Sequence, residues 1–146
     1  MFSSTFANEL ARLVFQAVPI AGIADNAAAS AETQLFVALH RADPGAAGTQ
    51  ATSEANYTGY ARVPVIRTST GWTVNNNVVR PAATVEFPEM TGGAEQTITH
   101  ITVGTTLAGA GRVYFRGAIA PTIECKVGVV PRLRDTTTIT LLTAAP

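Results

Sequence analysis

Thr97-Ile98-Thr99-His100-Ile101-Thr102-Val103-Gly104, followed after the small-residue turn Ala108-Gly109-Ala110-Gly111 by Arg112-Val113-Tyr114-Phe115-Arg116, decides the fold. Apolar and polar side chains alternate after His100 in the first run and throughout the second, the period of a strand buried on one face. Ile101 and Val103 are predicted to point inward, and Val113 and Phe115 likewise. Arg112, Tyr114 and Arg116 are left on the outer face. The glycine-rich Ala108–Gly111 stretch turns the chain from the first run into the second.

Working outward, the same signal recurs. Upstream, Leu35-Phe36-Val37-Ala38-Leu39-His40 is a short apolar run of strand length, as expected for a central strand buried on both faces. Asp43-Pro44-Gly45 ends it with turn chemistry. Residues 44–58 are small and polar, and predict a long surface loop of the functional or mobile kind. Tyr60–Arg67 alternates, with Pro64 marking an edge or a bulge because it cannot donate to a ladder. Trp72-Thr73-Val74 and Val78-Val79 flank an Asn75-Asn76-Asn77 hairpin turn. Thr84–Phe87, Ile123–Val130 and Thr136–Leu142 complete the predicted strands. Only the N-terminus is helical: Phe6, Leu10, Leu13, Val14 and Ala17 fall at helical spacing, and Pro19 ends the run.

The expected fold is therefore mainly β: a single β-sandwich or jelly-roll-like domain preceded by an N-terminal α-helix. The organisation read from the sequence is a helix over 1–19, a linker loop over 20–34 and a β-sandwich domain over 35–146.

Composition narrows the function. Of 146 residues, 47% are hydrophobic and 14% charged, against about 25% charged in ordinary soluble domains. Ten basic residues balance ten acidic ones. A balanced chain lacks the basic face that phosphate contacts require, so no nucleic-acid partner is expected. No run reaches the length of a membrane-spanning helix, and no membrane partner is expected. The start of the chain lacks a basic leader region, which predicts synthesis in the cytoplasm. Sparse charge predicts surface covered by neighbouring chains.

The residues that could carry chemistry are few. Cys125 is the single cysteine, set in an alternating stretch and expected to be a small buried hydrophobe. His40 is expected to make a structural hydrogen bond beside Asp43, and His100 to face solvent or a partner. Glu86, Glu89, Glu95 and Glu124 are scattered near turns and strand ends. Neither a nucleophile elbow nor a phosphate loop is present, and Asp25-Asn26 and Asp43 lack a calcium-loop pattern. No catalytic residue, metal site or cofactor is expected, and the chain is read as a non-enzyme. The residues expected to make contacts are Phe6, Leu10 and Leu13 on the helix, Arg62, Arg112, Tyr114 and Arg116 on strands, and Arg132 and Arg134 near the C-terminus. Arginine and tyrosine are enriched in interface cores.

Two stretches carry a resemblance. Leu35–Gly45 resembles the "L-x-V-A-L-H-T-A-D-P-G" segment, and Tyr57-Thr58-Gly59-Tyr60-Ala61-Arg62-Val63 the "Y-x-G-Y-A-R-V" segment, of small tailed-phage virion structural proteins. Val85-Glu86-Phe87-Pro88 and Thr99–Gly104 are similar to further segments of that group. The likeness runs over about residues 1–142. It departs in the long 20–34 link and in the arginine-rich Pro131–Asp135 piece.

The resemblance implies a protein that acts by contact. The first expectation is a capsid decoration, or cement, protein on the head surface of the virion, bridging head subunits. The alternative is a tail, neck or fibre component attached in few copies. A carbohydrate-binding module is a third reading from another class. The implied partners are the phage major capsid protein or other virion proteins, together with self-association as a dimer or trimer.

Overall fold

A computed structural model of the chain describes residues 4–20 and 32–141. In chain order it contains helix α1 (Ser4–Gln16) and strands β1 (Gln34–His40), β2 (Val63–Ile66), β3 (Trp72–Asn75), β4 (Val78–Pro81), β5 (Val85–Glu86), β6 (Gln96–Gly104), β7 (Val113–Cys125), β8 (Arg132–Leu133) and β9 (Ile139–Thr140). The mainly β architecture with one N-terminal helix agrees with the sequence. Strands form a four-stranded sheet in the order β2-β1-β6-β7, a three-stranded sheet β3-β4-β9 and a two-stranded sheet β5-β8. None of them closes into a barrel.

The elements fall into two compact units. One holds α1, β3, β4 and β9. The other holds β1, β5, β6, β7 and β8, and β2 is divided between the two, Val63 and Pro64 belonging to the second and Val65 and Ile66 to the first. Most of the 20–34 link lies outside the described residues, as do Asp25 and Asn26.

In the first unit, α1 buries Ala7, Ala11 and Phe15, one face at four-residue spacing. Leu10, Leu13 and Val14 are half-buried beside that face. The buried line is thus rotated from the expected one, because two alanines let the helix approach its sheet closely while Phe15 meets Trp72 edge-on at 4.7 Å. The side chain of Phe6 lies outside the described residues. Ala17 takes a left-handed φ of 56° and ends the helix. Arg67 serves its C-terminus: Nε donates to Val14 O and Nη2 to Leu13 O, both at 2.5 Å. A guanidinium there meets carbonyls that have no partner within the helix and opposes the negative end of its dipole. Asn76, at φ 55°, turns the β3–β4 hairpin as its sequence predicts.

In the second unit, β1 lies inside the sheet and is buried on both faces from Val37 to His40, as its apolar run predicts. Pro64 sits on an edge strand, where a missing N–H breaks no ladder. Strands β6 and β7 pair antiparallel as a hairpin, and β7 is far longer than the predicted Arg112–Arg116 run. It absorbs the start of the run predicted as a separate strand from Ile123, and residues 126–130 turn instead. Cys125 ends it fully buried, and burial pushes its thiol pKa up.

Candidate interaction surface

Strand β7 is the outermost strand of its sheet, and its register with β6 is irregular. Val103 pairs with Phe115 but Gly104 pairs with Val113, so Tyr114 is an extra residue. One extra residue reverses the alternation of faces. Val113 therefore shares the face of Gly104, and Phe115 shares the other face with Val103. The expected single outer row of Arg112, Tyr114 and Arg116 is broken at the bulge. All three are nevertheless exposed, Tyr114 at 40%. A wider irregularity follows: Ile98 pairs with Ile123 and His100 with Ala118, so residues 119–122 all lie opposite Thr99.

Arg116 is held by an ion pair, with Nη1 2.6 Å from both carboxylate oxygens of Asp43. The Gly45 N–H, and then the Arg116 guanidinium, hold the Asp43 carboxyl below its usual range. Arg132 pairs with Glu86 at 2.8 Å across β5 and β8, both exposed. Arg134 is exposed. Exposed pairs of this kind orient side chains more than they stabilise a fold.

Arg62 does not belong with these surface residues. It is 3% exposed, and its guanidinium is fully engaged inside the second unit. Nε and Nη2 donate to the two carboxylate oxygens of Glu54 at 2.6 and 2.8 Å. Nη1 reaches Thr106 O at 2.9 Å and Nη2 reaches Gly109 O at 2.6 Å. Backbone carbonyls of the β6–β7 hairpin tip thus complete a coordination that a contact residue would have kept free. Sequence reasoning placed Arg62 outside because strand alternation carries no information about what lies beyond the strand's end.

Around Arg62 the 41–62 segment is pinned to the sheet. The fully buried Gln50 donates from Nε2 to Phe36 O at 2.9 Å, and its Oε1 accepts the Thr106 N–H at 3.2 Å. Tyr60 donates its hydroxyl to Glu54 and accepts the Leu39 N–H. Burial, then the neighbouring Glu54 charge, raises the Tyr60 phenol pKa. Buried His40 bonds Thr52 O and the Thr102 hydroxyl, both at 2.8 Å, and not Asp43. His100 is half-buried, with the Thr99 hydroxyl 2.9 Å from its Nδ1. The loop expected to be functional or mobile is therefore fixed by a satisfied polar network.

Both nitrogens of His40 are occupied by structural partners. No group of three or more His, Cys, Asp or Glu side chains among the described residues could hold a metal ion. An open groove of about 320 Å³ lies along β3 and β4, lined by Thr73, the Asn75–Asn77 turn, Val78, Arg80 and Thr138. It carries no aromatic ring, and Trp72 is buried at 1% exposure. A sugar would find no stacking platform there.

A comparison with curated proteins finds no match. A family model described as "Podophage GP4 fiber I protein gp80" matches residues 3–140. That span takes in every described strand, and with it the chain is a phage virion structural protein: it belongs to the podophage GP4 fiber I protein gp80 family.

Proposed function

We propose that the protein is a component of a phage tail or neck fibre, acting through protein–protein contacts and without catalysis. The observation that carries this reading is the family match over 3–140, whose description names a podophage fiber. The geometry supports it. The polar side chains that could have formed a reactive centre are used to fix the 41–62 segment, while an irregular, exposed strand forms the sheet edge. Virion proteins are the partners such an edge serves.

The reading differs from head decoration in where the protein sits and how often. A reconstruction of the intact particle is expected to show density for this fold in a few symmetry-related copies at the tail or neck. Density over the whole head lattice, one copy or more per capsid subunit, would overturn the fibre reading in favour of a cement role.

A further inference from the structure

We propose that the outer edge of β7 pairs antiparallel with β7 of a second copy, about a two-fold axis at Gly117. This goes beyond the fibre reading and does not depend on it, since such pairing would form in solution without a particle.

The register supplies the argument. Gly117 pairs with Ile101 of β6. Val113 pairs with Gly104 and Ile123 with Ile98, so each stands three β6 residues from that point, on opposite sides. A two-fold axis at Gly117 therefore sets Val113 of one copy against Ile123 of the other. One step further out, Arg112 meets Glu124 of the second copy, and the symmetry makes each pairing twice. Both members of each pair lie on the same face, as direct cross-strand neighbours must. Tyr114 comes level with the extra residues 119–122, where Ala120 and Pro121 are exposed. An exposed aromatic ring thus faces the apolar excursion of its neighbour.

Burial points the same way. Arg116, Gly117 and Ala118 are exposed in succession, and so are Ala120, Pro121 and Thr122. No charge stands between Arg116 and Glu124. Proteins that keep their edges single place charge there. Here Arg112 stands at one end and Glu124 at the other, which suits an antiparallel copy, while Arg116 beside the axis is paired with Asp43 of its own chain. Pro121 has no N–H to donate, so the ladder is confined to short blocks, and a shifted register loses the Arg112–Glu124 match. A Cβ added at Gly117 meets nothing within 4 Å, so the axis is open.

The test uses the purified full chain. In a Cys125→Ala background, Gly117→Cys is expected to give a disulfide-linked dimer under mild oxidant, because directly opposed residues lie at about 4.5–5.5 Å between Cα atoms. Lys126→Cys, far from the axis, is the control. In sedimentation velocity, Arg112→Glu and Glu124→Arg are each expected to weaken the dimer about tenfold or more, and the double reversal to restore it. Far-ultraviolet circular dichroism checks that each variant is folded. If a charge variant unfolds, the Gly117→Cys cross-link decides alone. A chain that stays monomeric, a Gly117→Cys cross-link no faster than that of Lys126→Cys, or a double reversal that restores nothing overturns the edge pairing. The fibre reading would survive any of those results, because it is tested on the particle.

Discussion

The 41–62 segment and strand β7 invert what their compositions suggest. The first is rich in Ala, Gly and Thr and reads as free loop, yet Gln50, Glu54, His40, Tyr60 and Arg62 fix it from inside. The second reads as strand that should bury one face, yet most of its middle is exposed on both. Whether a side chain is solvated depends on what third element reaches it, and alternation along one strand does not report that. Polar residues can be interior where several of them satisfy one another. Apolar residues can be exterior where the sheet ends.

The contrast can be broken at its interior end first. Arg62→Ala leaves the Glu54 charge in the interior with only the Tyr60 hydroxyl beside it and is expected to cost about 3–5 kcal/mol. A chemical denaturation midpoint unchanged from the parent would show that the buried pair does not hold the loop. Gly104→Ala comes next. Its Cβ would stand 2.3 Å from Arg112 O and from Gln50 Cδ, and overpacking of this kind costs about 1–3 kcal/mol. Gln50→Ala in the same chain should recover part of that loss, and no recovery would place the clash elsewhere.

A third test is acidification. Burial lowers the His40 pKa, against the raising effects of Thr52 O and Glu54, while Arg62 and His100 add to the lowering. The unfolded chain, with an ordinary imidazole near 6.5, takes up the proton first. Stability from neutral His40 is therefore full above that pH and is lost as the pH falls below it. The thermal midpoint should drop on going from about pH 7.5 to about pH 5.5, in the parent and in His100→Asn alike. A flat profile, or a drop abolished by His100→Asn, would remove His40 from the account.

The smallest effect is expected outside. Arg132→Ala deletes an ion pair whose side chains are 58% and 57% exposed, and should change stability by no more than about 0.5 kcal/mol. A larger loss would erase the distinction between interior and surface pairs.

Much of the fold was legible. The runs at β1, β3, β4 and β6 were marked by alternation or apolar continuity, and their turns by asparagine and glycine. The mainly β class followed from their number. The length of β7 was not legible, because the excursion at 119–122 breaks the period that would have joined its halves. The helix was found but its buried line was not. Alanine at positions 7 and 11 scores as weakly apolar, whereas packing selected it for its small volume. Of the proposed contact residues, Arg112, Tyr114, Arg116, Arg132 and Arg134 are exposed, since charged and aromatic residues flanking short strands usually are. Arg62 could have been found inside by one signal, the acid Glu54 and the phenol Tyr60 close to it in sequence. Arg67 carried no local signal, since the helix it serves lies some fifty residues earlier.

That last distance has a consequence for the N-terminus. Thirteen residues make a helix that is marginal alone in water, and α1 has no basic residue in its final turn. The cation it needs arrives only once Arg67 has been made and has reached the carbonyls of Leu13 and Val14. A synthetic peptide of residues 4–16 should thus be mostly coil, and the segment is unsuited to serve as a detachable peg that folds first and docks afterwards. Its order is on loan from chain synthesised later.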